Sequence, residues 1–263
     1  MLRIVDARTG RLVEIPSVSR HLLSICVHLP AGDAGIGMAG LRALLIGDVL
    51  ARTAELHGLQ SRAFLAAPDL PPERARTLDG AMSALGVHPF SAVGGHRPGG
   101  PLRAAADVHV DACGTAARDA VDGARVDVGQ VEQASREKDT ALVPEGADPL
   151  ALRMLMLGHA YRTPVTVTGA ELDEAGRRLA VWRQRVADWA EEPSRPVPAD
   201  LLRHAHAVLA DDLGVPAVLS MLGTVAGRAD VPAGAKFETF AFLDRVLGLD
   251  LARDVGHQHR AAT

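Results

Sequence analysis

The sequence predicts a parallel α/β domain followed by an α-helical bundle. Three observations carry this expectation. Up to about residue 147, short apolar runs of strand type alternate with longer segments of helical periodicity. After Asp148 the strand-type runs give way to successive helical segments. Hydrophobic residues make up 48% of the 263 residues but aromatic ones only 3%, so a sizeable core is available and it must be aliphatic.

The elements follow in order. Leu2 to Val5 and Leu12 to Ile15 flank a turn containing Asp6 and Gly10, which predicts a hairpin. Leu22 to Val27 reads as a buried strand, followed by a glycine-rich loop from Ala31 to Gly40. Leu41 to Leu56 carries Leu41, Leu44, Leu45 and Val49 at helical spacing, and Gly58 stops the helix. Ser61 to Ala66 reads as a second strand, and Pro71 to Leu85 as a helix opened by two prolines and stopped by Gly86. Ala106 to Val110 is a further strand, and the signals from Val126 to Pro144 are mixed. Helices are expected over Pro149 to Gly158, Gly169 to Trp189, Ala199 to Ala210, Val215 to Ala226 and Phe237 to Leu247, with a Pro-punctuated linker at Glu192 to Pro198. The expected division is residues 1–147 and 148–263.

The charge balance is 28 Lys+Arg against 32 Asp+Glu, a formal net charge of −4, which argues against sequence-independent nucleic-acid binding. Two distant cysteines, Cys26 and Cys113, make neither a disulfide framework nor a CxxC zinc knuckle, and are expected to be buried free thiols. No apolar run is long enough for a membrane span and residues 1–16 lack a signal-peptide core, so a cytoplasmic protein is expected.

Gly35-Ile36-Gly37-Met38-Ala39-Gly40 fits G-x-G-x-x-G between a predicted strand and a helix, where backbone N–H groups and the helix dipole suit a phosphate. The acidic residue that a dinucleotide's ribose needs at the end of the next strand is missing from residues 61–67, the first acid being Asp69. A ligand-free tight turn satisfies the same spacing.

Several segments together resemble cysteinyl-tRNA synthetases and the related cysteine ligase of mycothiol synthesis, both class I synthetase folds with a Rossmann-like sheet. Leu2-Arg3-Ile4-Val5-Asp6 with Thr9-Gly10 resembles their opening strand, and Ile25-Cys26-Val27 lies where they carry Y-V-C-G-P-T. Gly47-Asp48-Val49-Leu50-Ala51-Arg52 resembles F-D-V-L-R-R, residues 64–70 resemble V-R-N-(I/V)-T-D-I, residues 82–87 resemble M-x-x-L-(N/G)-V, and Asp107-Val108-His109 resembles D-I-H-G-G-G. The most specific likenesses are Asp148-Pro149-Leu150-Ala151-Leu152-Arg153 with His159-Ala160-Tyr161-Arg162-Thr163-Pro164, and Asp211-Asp212-Leu213-Gly214-Val215-Pro216-Ala217 in the helical part.

The departures bear on function. The family's ATP signature H-I-G-H falls on Gly37-Met38-Ala39-Gly40, or on Gly35-Ile36-Gly37-Met38 in a neighbouring alignment, and both histidines are missing. K-M-S-K-S falls on Gln133-Ala134-Ser135-Arg136-Glu137, where Arg136 and then Lys138 are the only cations left to meet a leaving pyrophosphate. Of the family's Cys, Cys, His and Glu zinc ligands Cys26 matches the first; Cys113 is the candidate for the second, although the D-V-H likeness sets it in the glycine turn instead, and the His and Glu are missing, so zinc is not expected. No anticodon-binding module is recognisable, so tRNA is not expected as a partner.

Two functions follow from the resemblance. In one, the chain is a pseudoenzyme that keeps the scaffold and binds a ligand or a partner protein. In the other, it is a tRNA-independent ligase that uses ATP and Mg²⁺ to activate a small amino acid or carboxylate as its adenylate. The resemblance then gives Arg136 and Lys138 the catalytic roles, Gly35, Gly37, Met38, Gly40 and His109 the nucleotide, and Cys26 and Asp69 the substrate. Read from the residues alone, His109 is equally a core or strand-edge histidine. Arg153, His159, Tyr161 and Arg162 are expected to be mainly structural. His204 and His206 point to different faces of one helix, and Trp182 and Trp189 serve either the core or a contact between two copies of the chain.

Overall fold

The computed structural model describes residues 1–15, 22–30, 37–94, 106–113, 122–133 and 146–256. Strands β1 (Arg3–Asp6) and β2 (Arg11–Glu14) form the expected antiparallel hairpin, with Asp6 opposite Arg11. Gly10 closes its turn at φ 65°, a left-handed conformation that suits glycine.

The central sheet consists of β3 (Leu22–His28), β4 (Gln60–Ala66), β5 (Ala92–Gly94), β6 (Val108–Asp111) and β7 (Ala124–Asp127), all parallel, in the order β5-β4-β3-β6-β7. Helix α1 (Met38–Leu56) connects β3 to β4, and α2 (Pro72–Ala84) connects β4 to β5. Successive strand residues point to opposite faces. Leu23, Ile25 and Val27 of β3 therefore join the aliphatic core with Leu41, Leu44, Leu45 and Val49 of α1, while Ser24, Cys26 and His28 face the other way. Contact between α1 and β3 is so close at Gly47 that a Cβ there would lie 2.4 Å from Val27 Cγ2. Gly47→Ala is accordingly expected to cost about 1–3 kcal/mol by overpacking. On a Val27→Ala background that cost should shrink below about 0.5 kcal/mol in a urea-unfolding cycle; an unchanged cost would place the strain elsewhere.

Strands β8 (Val131–Gln133) and β9 (Val165–Val167) pair in parallel and join the two halves of the chain. The helical part comprises α3 (Pro149–Leu157), α4 (Gly169–Trp189), α5 (Ala199–Ala210), α6 (Val215–Gly227) and α7 (Ala233–Leu247). Thr168 and Glu171 form a reciprocal capping box at the start of α4. Asp148 caps α3 through the Leu150 N–H and also accepts from Arg183. Burial works to raise the Asp148 pKa, but Arg183 and that N–H outweigh it and hold the carboxyl below its usual range. Trp182 and Trp189 both meet Phe240 edge-on, at centroid distances of 5.3 and 5.1 Å, so their shared face serves the core. One aliphatic core runs from Leu2 through Leu251.

The 160–164 segment is held from two sides. Arg42 of α1, fully buried, donates to the carbonyls of Thr163 (2.6 Å), Ala160 (2.9 Å) and Gly129 (3.2 Å). Burial away from any carboxylate pulls its pKa down to about 10. Asp212 accepts from the Tyr161 hydroxyl (2.7 Å), from Arg162 (2.6 Å) and from the Val5 N–H (2.9 Å). These contacts fit the structural role expected for Tyr161 and Arg162.

The structure corrects some expectations. Helix α1 starts at Met38 rather than Leu41, because Met38 and Gly40 are already buried and Gly37 takes the N-cap position. Helix α7 starts at Ala233, with Pro232 before it fixing φ at −59°, rather than at Phe237. Strands β5, β7, β8 and β9 come from segments that carried no strand signal. Cys113 is exposed, not buried, because it lies just beyond the end of β6. Among the described residues, no helix is long and apolar enough to cross a membrane.

Candidate functional site

Crossovers through α1 and α2 build the sheet outward from β3 in one direction, whereas β6 and β7 extend it in the other. The order reverses between β3 and β6, and in open parallel sheets the crevice at the carboxyl ends beside such a reversal is where ligands bind. His28 ends β3 and Asp111 ends β6, and the register sets Cys26 beside His109 and His28 beside Asp111.

On the face turned away from α1, these strands present polar side chains where β3's other face is aliphatic. Cys26, His28 and His109 are buried, at 0%, 1% and 0% exposure. Their ligand atoms lie within 4.8 Å of one another. His28 Nε2 stands 2.9 Å from His109 Nδ1, and His109 Nε2 stands 2.9 Å from the Asp122 carbonyl oxygen. A carbonyl only accepts, so neutral His109 carries its proton on Nε2 and leaves Nδ1 bare; His28 then donates from Nε2. The rings stack with centroids 5.2 Å apart. Phe64, Ala66 and Ala106 form a small apolar cluster with Cys26, separate from the main core. On the next strand, Arg125 of β7 is the register partner of His109 and places Nε (2.9 Å) and Nη2 (2.7 Å) on one oxygen of Asp111.

The residues singled out in the sequence fall into three groups. Cys26 and His109 are brought together on adjacent strands. Gly37, Met38 and Gly40 form the start of α1, where the N-cap makes no side-chain hydrogen bond, and Met38 and Gly40 are buried. Asp69 is exposed in the segment after β4. Gly35, Arg136 and Lys138 lie outside the described residues. Sequence reasoning missed His28, Asp111 and Arg125. The available signal for His28 was its place two residues after Cys26, which in a strand gives both side chains one face.

A parallel five-stranded sheet with its order reversing between β3 and β6, and with helices packed against it, is a Rossmann-like α/β fold of the class I synthetase type. The chain is related to the L-cysteine:1D-myo-inositol 2-amino-2-deoxy-alpha-D-glucopyranoside ligases. It is 36% identical to that of Thermomonospora curvata over 112 residues, covering 41% of this chain and 26% of the relative. Identity to that of Catenulispora acidiphila is 40% over 92 residues, 34% of this chain and 20% of the relative. The match to that of Kribbella flavida is longer, 31% over 183 residues, covering 68% of this chain and 38% of the relative. The chain thus spans well under half the length of these curated relatives. No family model matches it.

Proposed function

We propose that this chain binds a small ligand of the aminoacyl-adenylate type at the carboxyl edge of the sheet, between β3 and β6, without performing the ligase reaction. The observation that carries the reading is the start of α1. The resemblance sets the ATP-binding histidines there, and Gly37, Met38, Ala39 and Gly40 offer no side-chain donor. Donors aimed at the charge of a transition state are each worth roughly 10²–10³ in rate, so losing two removes most of the acceleration. Binding needs less: the first-turn N–H groups of α1, which no helical carbonyl precedes, suit a phosphate, and the reversal beside β3 supplies the crevice.

A second reading rests on the relationship to ligases: ATP with Mg²⁺ activating a small amino acid or carboxylate. Calorimetric titration with a non-hydrolysable aminoacyl-adenylate analogue, then with ATP and Mg²⁺, followed by an amino-acid-dependent pyrophosphate-exchange assay, separates the two. The expected result is saturable one-site binding of the analogue with exchange no faster than buffer. Exchange driven by any amino acid would establish the ligase instead. Absence of binding by either ligand at millimolar concentration would leave a partner protein as the ligand.

A further inference from the structure

We propose that Cys26, His28 and His109 bind a thiophilic divalent cation, zinc by the preference of this donor set, inside the sheet between β3 and β6. The proposal does not depend on adenylate binding. It shares only Cys26 with the ligand set that the family resemblance implies; both histidines stand outside that set.

Strand geometry brings the three donors together. Cys26 and His28 are two residues apart on β3 and share a face, and His109 is the register partner of Cys26 on β6. Their ligand atoms lie within 4.8 Å of one another, and the two imidazole nitrogens are 2.9 Å apart. A tetrahedral zinc with bonds of about 2.0–2.3 Å spaces its donors about 3.3–3.7 Å apart, so side-chain adjustments of about an ångström form the site.

The outer partner also fits. The Asp122 carbonyl accepts a hydrogen bond from His109 Nε2–H and turns the bare Nδ1 toward Cys26 and His28, the arrangement that orients a metal-bound histidine. Phe64, Ala66 and Ala106 pack beside Cys26, and a dry apolar wall strengthens a thiolate–metal bond. On binding, the Cys26 thiol releases its proton to solvent, His28 shifts its ring proton from Nε2 to Nδ1, the hydrogen bond from His28 to His109 is replaced by two nitrogen–metal bonds, and a fourth position stays open for water or a ligand's thiolate.

The test uses the full chain, freed of metal with a chelator and titrated with Co²⁺ and then Zn²⁺. One Co²⁺ per chain is expected, with a thiolate-to-cobalt charge-transfer band and tetrahedral visible absorption that Zn²⁺ abolishes. Cys26→Ser should remove the band, and His28→Gln or His109→Gln should weaken binding by at least about tenfold. Cys113→Ser, an exposed thiol outside the cluster, should change nothing. Thermal unfolding of the metal-free proteins gives a second reading: at equal concentration Zn²⁺ should raise the wild-type midpoint more than that of the glutamine variants. The proposal is overturned if the wild type binds no Co²⁺ at micromolar concentration, if the band survives Cys26→Ser and disappears in Cys113→Ser, or if Zn²⁺ stabilises wild type and glutamine variants alike.

Discussion

Asp48→Ala is expected to lower the free energy of unfolding by about 3–5 kcal/mol, the usual loss when one partner of a buried ion pair is removed. The Asp48 side chain has no exposed surface. Its Oδ2 accepts from Arg153 Nη2 at 2.6 Å and from Arg52 Nε at 2.8 Å, and its Oδ1 accepts from the His88 N–H at 3.0 Å. Arg153, equally buried, also donates to the carbonyls of Leu247 (2.6 Å), Leu85 (2.9 Å) and Gly86 (3.3 Å). One carboxylate therefore offsets two guanidinium groups that join α1, the turn after α2, α3 and the end of α7. Burial pushes the Arg153 pKa down and Asp48 works against it, so removing Asp48 strands a charge that cannot reach water. Gly248 is part of the same arrangement: it ends α7 at φ 60°, and a Cβ there would lie 2.8 Å from Arg153 Nη2. The loss should appear in urea unfolding and persist in 1 M NaCl, because salt screens buried pairs weakly. A loss under about 1 kcal/mol, or one that salt removes, would show that solvent reaches the pair.

Asp48 and Arg153 also mark what can be read from the sequence. Both lie in segments of specific resemblance, yet nothing in the sequence tells that they touch, since they are 105 positions apart. What was legible was local. β3, α1, β4 and α2 announce themselves through contiguous apolar runs, helical spacing and the stops at Gly58 and Gly86. β5, β8 and β9 have three residues each and β7 has four, too few for a pattern; their strand character comes from a neighbour supplied by the fold. β7 runs into the stretch of mixed signals that begins at Val126, and its strand character comes from pairing with β6. The candidate site had the same difficulty. Cys26 and His109 were visible through resemblance, but their meeting with His28 depends on the register of two strands far apart in sequence. One residue of slip would turn His109 to the other face.

The second large effect is expected at Asp111. Asp111→Ala should cost about 3–5 kcal/mol, since it leaves the Arg125 guanidinium buried on the sheet without the carboxylate that receives two of its N–H groups. Replacing both residues by Asp111→Val and Arg125→Met should recover most of that loss, because a well-packed apolar pair is often as stable as a buried ion pair. That recovery poses a functional question. The other face of this sheet is aliphatic, so an ion pair between the end of β6 and the middle of β7 is not needed to hold the strands together. Its position beside the reversal, with Arg125 the register partner of His109, places fixed charge where the proposed ligand would sit. The stable double variant is therefore expected to keep the fold and lose binding of the aminoacyl-adenylate analogue by at least about tenfold, as loss of a charged contact at a ligand does. Unfolding measured alongside titration decides between the alternatives. A double variant as unstable as Asp111→Ala would make the pair a packing requirement. One that is stable and binds as tightly as the wild type would remove Asp111 and Arg125 from the site.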